Sequence, residues 1–171
     1  MHLLLHPFSE SGVETLKPKK DKKKSAVIGI GNTLMSDDGV GVKVLELLED
    51  LPDHVGVVEL ATGGMTLLHH LEGLEEAVLV DAVDFGGRPG EIRLFKPDEV
   101  DTVKTVGYSL HDLDMIKVLE LARRMDTLPG RVVIAAIQPV SLQMGEGLSR
   151  EVKKALPELA RRIIETVVDF S

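Results

Sequence analysis

One stretch, residues 27–41 (VIGIGNTLMSDDGVG), constrains the fold of this chain more than any other. It begins within a continuously apolar run, residues 26–30, as expected for a central strand buried on both faces. Apolar residues then recur at helical spacing, at positions 40, 44, 47, 48 and 51. The stretch therefore predicts a buried strand, a glycine-rich turn and a helix, which is the start of an α/β fold.

Two adjacent carboxylates, Asp37 and Asp38, occupy the predicted turn at the carboxyl edge of the sheet, where open α/β folds bind their ligands. A dinucleotide site is disfavoured, because Leu34 replaces the third glycine of its fingerprint and the carboxylates would repel a pyrophosphate. A Walker A loop is excluded, since no Gly-Lys-Ser/Thr follows. Two carboxylates beside a flexible glycine suit a cation. Capping of the following helix by one of them is the competing interpretation.

Composition limits the partners of this chain. Its 171 residues with 43% hydrophobic content predict one compact domain, residues 25–171. A formal charge of −8 and 3% aromatic residues argue against a nucleic-acid partner and favour a protein or a small solute. The absence of cysteine excludes disulfides, thiolate metal sites and a cysteine nucleophile. Any metal must therefore be held by oxygen and imidazole.

The first 24 residues differ from the rest, because six lysines crowd into positions 17–24. We predict that residues 1–24 form a solvated, mobile appendage, with an acidic partner as the alternative. No apolar run approaches the roughly 18 residues of a membrane span, and the start lacks the features of a signal peptide. The sequence therefore predicts a cytoplasmic protein with no membrane partner.

Further strands are predicted at residues 55–60, 77–80 and 131–137. The strand at residues 77–80, the third along the chain, leads into Asp81. If it is a parallel neighbour of the first, Asp81 and Asp38 emerge at the same edge of the sheet. Residues 91–95 alternate as a short strand expected to pair antiparallel with the third, which makes the sheet mixed.

The last helix follows Ser149, a candidate cap, and contains Pro157, which is expected to kink the helix or split it in two. Another helix is predicted after Ser109, with the spacing of a capping box, and His111 is its second residue. The positive end of the helix dipole disfavours imidazolium there, and neutral imidazole is the form that binds metals. A solvent-exposed His111 is the competing interpretation, and surface positions are predicted for His69 and His70.

Five motifs in this order carry a family resemblance: GIGNTLMSDDGVG at 29–41, VDA at 80–82, PGEIR at 89–93, SLH at 109–111 and IQP at 137–139. Together they closely resemble the hydrogenase maturation endopeptidases, over residues 26 to about 170. The resemblance implies a three-layer α/β/α sandwich with a mostly parallel, mixed sheet of about five strands. It also implies removal of a C-terminal peptide from the large-subunit precursor of a nickel-iron hydrogenase, after nickel has been inserted.

The same resemblance implies that Asp38, Asp81 and His111 bind the metal and carry the catalysis. The metal would be nickel that arrives with the substrate, and zinc or another divalent ion can substitute in such a ligand set. The chemistry stays open between a nickel-polarised carbonyl or water and a carboxylate general base. Two other function classes also stay open: a non-proteolytic nickel carrier or chaperone that uses the same residues, and a nucleotide binder.

Overall fold

The computed structural model describes residues 24–99 and 110–170, with the backbone alone for residues 110–113. Within these ranges, five strands form one sheet: β1 (Ser25–Ile30), β2 (Val55–Leu60), β3 (Glu76–Ala82), β4 (Ile92–Phe95) and β5 (Arg131–Ile137). Their order across the sheet is β2-β1-β3-β5-β4, and only β4 runs antiparallel to its neighbour. The predicted mixed, mostly parallel sheet of about five strands is confirmed.

Helices cover both faces of this sheet. The described α-helices are α1 (Val40–Lys43), α2 (Met65–Leu71), α3 (Leu110–Arg124) and α4 (Arg150–Val168). Short 3-10 helices lie at Ser36–Gly39, Val44–Leu47 and Pro97–Glu99. One hydrophobic core joins the sheet to α2 and α3, and a second core on the opposite face joins it to α1 and α4. The predicted three-layer arrangement is therefore present.

The two central strands have apolar side chains on both faces. In β1, Ile28 belongs to the core under α2 and α3, whereas Val27 belongs to the core under α1 and α4. Leu79 and Val80 alternate in the same way in β3. Burial of each such side chain contributes about 1.5–3 kcal/mol, which explains why the strand sequences are continuously apolar.

The predicted pairing of β4 with β3 is wrong. The free edge of β3 is taken by β5, with Asp81 opposite Ala136, and β4 pairs antiparallel with the far side of β5. The reason lies in the intervening turn, which crosses the end of β5. Its backbone bonds to β5 and to the residue after it, through Val83 N to Ile137 O (3.0 Å) and Gln138 N to Glu91 O (2.8 Å).

The first helix is shorter than the apolar pattern indicates. Only Val40–Lys43 is α-helical, and 3-10 turns precede and follow it. Gly39 and Gly41, together with three valines, lower the helix propensity of this segment. The predicted appendage, residues 1–24, lies outside the described residues except for Lys24, whose carbonyl accepts the amide of Glu75 at 2.7 Å. No helix in the described ranges combines the length and apolar character needed to cross a bilayer.

Helix α4 continues through Pro157, so of the two predicted outcomes, a kink or a split into two helices, the split is wrong. Pro157 is exposed, and so is Lys153, whose carbonyl is four residues earlier and can bond to water instead of a helical N–H. Ser149 caps α4 as predicted, because its hydroxyl accepts the amide of Val152 at 3.4 Å.

Replacing Pro157 with alanine should therefore stabilise the protein. The substitution restores an N–H donor for the carbonyl of Lys153 and removes the helix penalty of proline, so we expect the free energy of unfolding to rise by about 1–3 kcal/mol. Denaturant titration followed by circular dichroism measures the change. Pro52→Ala, in the loop before β2, is the control and should not stabilise. An unchanged or lower stability of Pro157→Ala would contradict the prediction.

Candidate functional site

Asp38 lies in the 3-10 turn Ser36–Gly39, directly after β1. Its side chain is 5% exposed, and Oδ2 accepts the backbone amide of Asn32 at 2.8 Å. The side chain of Asn32 in turn accepts the amide of Leu34 at 3.0 Å, an Asx turn that shapes the loop. These bonds hold the carboxylate of Asp38 at the carboxyl edge of the sheet, as the sequence predicts.

Two glycines let this turn lie directly on the ends of the central strands. A Cβ atom on Gly41 would lie 2.3 Å from the carbonyl oxygen of Ile30 and 2.4 Å from that of Val80. Gly31 has a φ of 149°, and a Cβ there would lie 1.8 Å from the carbonyl oxygen of Asp38. Any side chain at either position would push the turn away from β1 and β3. The glycines of the motif therefore set the position of Asp38.

Asp37 has a structural role that differs from the role of Asp38. It is fully buried, and its Oδ1 accepts the amide of Ser149 at 2.6 Å. Its Oδ2 accepts the amides of Val140 and Ser141 at 2.8 and 3.2 Å. Three N–H groups thus compensate one buried carboxylate. Asp37 fastens the turn that carries Asp38 to the loop between β5 and α4.

Neither aspartate caps the helical segment that follows, so the capping interpretation is wrong. The N-terminal ends of the 3-10 helix and of α1 have no side-chain cap bond. Backbone bonds reinforce the link made by Asp37, with Ser36 N donating to Gly145 O at 2.7 Å and Gly145 N donating to Leu34 O at 3.0 Å. The turn and the loop at 140–149 therefore form one unit beside the sheet edge.

Asp81 is the penultimate residue of β3 and is 1% exposed. Ala77 and Leu79, which precede it at intervals of two, both belong to the core under α2 and α3. Because side chains alternate along a strand, Asp81 faces the same layer, at the carboxyl end of β3. The structure thus brings Asp81 to the edge at which Asp38 lies.

His111 is the second residue of α3, as predicted, and its side chain lies outside the described residues. Helix α3 leads into the parallel strand β5, so it runs antiparallel to that strand and begins at the carboxyl edge. Met115, one turn further on, supports this placement, because a Cβ on Gly63 in the loop after β2 would lie 3.0 Å from Met115 Cβ. The backbone of His111 therefore starts at the same edge as Asp38 and Asp81.

The ligand role of these three residues stays a prediction. Among the side chains that the structure describes, no three His, Cys, Asp or Glu residues form a group able to hold a metal ion. His111, the third predicted ligand, is outside that set. His69 and His70 are exposed on α2, which confirms their predicted surface positions.

Gln138 organises the turn that follows Asp81, a role that no sequence pattern indicates. It is 7% exposed, and its Oε1 accepts the amides of Phe85 and Gly87 at 2.9 and 3.1 Å. Its Nε2 donates to Asp84 Oδ1 at 2.9 Å. Its backbone carbonyl accepts the amide of Gly90 at 2.8 Å. One residue thus holds the loop that borders the candidate site.

Glu91 closes the same turn from the outside. Its Oε2 accepts the amide of Arg88 at 2.9 Å, and its Oε1 accepts Nε of Arg93 at 3.0 Å. The amide of Arg88 and then the guanidinium of Arg93 lower the pKa of Glu91 below its usual 4.5. A lowered pKa means that this contribution to stability is present above the ordinary pKa and is lost as the pH falls through the folded-state value. The guanidinium of Arg93 also lies 4.3 Å from the ring centroid of Phe85.

Gln138→Leu should loosen this turn. Leucine has a similar volume but leaves the amides of Phe85 and Gly87 without their acceptor, so we expect a loss of about 2–4 kcal/mol in the free energy of unfolding. Gln143→Leu, at an exposed position in the neighbouring loop, is the matched control and should change stability by less than about 0.5 kcal/mol. Urea titration of both variants compares them, and equal stabilities would refute the role of Gln138.

The sequence matches known proteins along most of its length. The family model for hydrogenase maturation proteases matches residues 42–166, a range that includes Asp81 and His111 and begins four residues after Asp38. The hydrogenase expression/formation protein HoxM of Azotobacter vinelandii is 33% identical over 141 residues, which cover 80% of this chain and 68% of HoxM. The hydrogenase 2 maturation protease of Escherichia coli K12 is 29% identical over 142 residues, covering 81% of this chain and 87% of that protein.

Solved structures share the fold. The hydrogenase maturating endopeptidase HybD from Escherichia coli aligns with a TM-score of 0.78 and 26% identity, covering 86% of this chain and 94% of HybD. The [NiFe] hydrogenase maturation protease HybD from Thermococcus kodakarensis aligns with a TM-score of 0.68 and 25% identity, covering 84% of this chain and 99% of that one. The predicted fold class is confirmed. By the family model and these relatives, the chain belongs to the hydrogenase maturation protease family.

Proposed function

We propose that this protein is an endopeptidase that removes the C-terminal peptide of a nickel-iron hydrogenase large-subunit precursor once nickel has been inserted. Its family membership supports the protease activity. The observation that supports a site is that Asp38, Asp81 and the start of α3 all lie at one edge of the sheet. Two buried carboxylates at the carboxyl edge of an α/β sheet are typical of a functional site.

We propose further that this edge recognises nickel held by the substrate. Two carboxylates and one imidazole offer oxygen and nitrogen ligands, which suit nickel or zinc. The chain contains no cysteine, so the site lacks the thiolates that would hold a soft metal most tightly. Three protein ligands without a thiolate leave coordination positions for groups of the substrate. Such a ligand set favours a metal that stays with the precursor and marks it as ready for cleavage.

In the proposed reaction, recognition of the metal fixes the scissile peptide bond beside Asp38 and Asp81. One carboxylate takes a proton from a water molecule, whose oxygen forms the new bond to the peptide carbonyl carbon. The carbon–nitrogen bond then breaks, and the same proton goes to the leaving amine. Polarisation of the carbonyl or the water by the nickel of the substrate is the alternative source of activation. Burial of both aspartates keeps bulk water away from this step.

The direct test mixes the protein with nickel-loaded and with nickel-free precursor and measures intact masses. We expect the loaded precursor to lose its C-terminal peptide and the nickel-free precursor to keep its full mass. Cleavage of both forms would refute recognition through nickel. An unchanged mass of both forms, together with tight nickel binding by the isolated protein, would show that the protein is a nickel carrier and not a protease.

A further inference from the structure

A surface groove of about 250 Å³ lies beside the turn that carries Asp38. Ser36 and Gly39, on either side of the two aspartates, form one wall of this groove. The other walls come from α1 with the 3-10 helix after it, from the loop before α4, and from the first turns of α4. The side chains that line these other walls include Lys43, Glu46, Leu47, Leu148, Lys153 and Leu156. We name this surface feature the Lys153 groove.

The floor of the Lys153 groove is apolar. Leu148 and Leu156 are partly buried against the core under α1 and α4, and Leu47 is 43% exposed at the rim. A volume of about 250 Å³ is below the roughly 300–1,000 Å³ of typical small-molecule sites, so it suits one or two side chains of a longer ligand. The groove therefore fits a peptide segment better than a small solute.

The charge of the groove selects among peptides. Lys43 is neutralised by Glu46, with 3.1 Å between Nζ and Oε1. Lys153 has no carboxylate partner among the side chains that the structure describes, in a chain whose formal charge is −8. An apolar floor with one unneutralised ammonium group complements an apolar side chain next to a carboxylate.

Exposed apolar side chains extend this surface past the groove. Leu34 and Met144 are 61% and 86% exposed, and the bond from Gly145 N to Leu34 O (3.0 Å) holds their two loops side by side. Large exposed apolar side chains beside an apolar groove favour a protein ligand at this surface. Leu34 also belongs to the same loop as Asp38, so a partner bound here would lie beside the turn that carries Asp38.

We infer that the Lys153 groove binds part of the C-terminal segment that the protease removes, with an apolar side chain against Leu47, Leu148 and Leu156 and a carboxylate on Lys153. The inference rests on the proposed function and identifies where that substrate is held. The groove contributes binding of the substrate and no group to the bond cleavage, so its loss should raise KM and leave kcat unchanged.

Processing kinetics of nickel-loaded precursor test this with two variants. Lys153→Glu and Leu47→Asp should raise KM at least about fivefold with kcat within about twofold of wild type. Lys154→Glu and Met125→Asp are the matched controls, because both residues are exposed and neither lines the groove. Controls should keep the wild-type KM.

Direct binding separates the possible sources of the carboxylate. A fluorescent peptide with the sequence of the removed segment is titrated with wild-type protein, once with a free C-terminus and once as the amide. Weaker binding of the amide identifies the terminal carboxylate, and equal binding identifies an acidic side chain; both results support the groove when Lys153→Glu weakens binding.

Wild-type KM for both groove variants, with normal processing, would overturn this inference and leave the protease intact. A shift in sedimentation alone, without a change in KM, would also overturn it, because a second copy of the chain would then be the occupant. A wild-type protein that neither binds the peptide nor cuts the precursor would overturn both proposals.

Discussion

Asp38→Asn is expected to reduce the rate of processing of nickel-loaded precursor by a factor of about 10²–10⁴, the usual contribution of a positioned acid or base. The substitution removes the negative charge with which Asp38 would contact the metal or take the proton. It keeps an oxygen that can accept the amide of Asn32, the bond that Oδ2 makes at 2.8 Å. We therefore expect the free energy of unfolding to change by less than about 1 kcal/mol.

Intact-mass measurement of the precursor, together with thermal unfolding of the variant, checks both halves of this expectation. Asp53→Asn is the control, because Asp53 is an exposed aspartate in the loop before β2. Full activity of Asp38→Asn would show that Asp38 is not part of the active site. A large loss of stability in that variant would mean that the effect on activity is indirect.

Asp37→Asn is expected to have the opposite phenotype. The asparagine amide places its NH₂ group against the amide of Ser149 or against those of Val140 and Ser141, which the carboxylate now accepts at 2.6, 2.8 and 3.2 Å. Donor facing donor in a fully buried position should lower the free energy of unfolding by about 2–4 kcal/mol. At about 2–4 °C per kcal/mol for a chain of this size, Tm should fall by roughly 5–15 °C.

Calorimetry of the two neighbouring variants makes the comparison direct, since they differ by one position and carry the same chemical change. We expect Asp37→Asn to lose stability and Asp38→Asn to lose activity. Equal stability of the two proteins would show that the three bonds to Asp37 contribute little, and the proposed link between the turn and the 140–149 loop would be wrong.

Local chemistry explains which features the sequence predicts well. The continuous apolar run of β1 and the bounds of β5 follow from burial on both faces, and the cap at Ser149 follows from the chemistry of a helix start. The placement of Asp38 and Asp81 at one edge follows from the parallel pairing of β1 with β3. Each of these depends on residues close in sequence or on a general rule of α/β topology.

Long-range contacts explain the rest. Asp37 finds its partners more than 100 residues away, so one sequence presents it only as an acidic neighbour of Asp38. Gln138 bonds to a turn more than 50 residues earlier, and that turn carries β4 across the end of β5. The wrong partner predicted for β4 therefore has the same cause as the missed role of Gln138.

The ligand set can be observed directly by X-ray diffraction from crystals soaked in nickel, with data collected on both sides of the nickel absorption edge. One anomalous peak should lie among the carboxylates of Asp38 and Asp81 and the imidazole of His111, and Asp38→Asn crystals should lose it. A nickel peak that lacks Asp38, Asp81 or His111 among its ligands would contradict the three-residue site on which the proposed recognition of nickel depends.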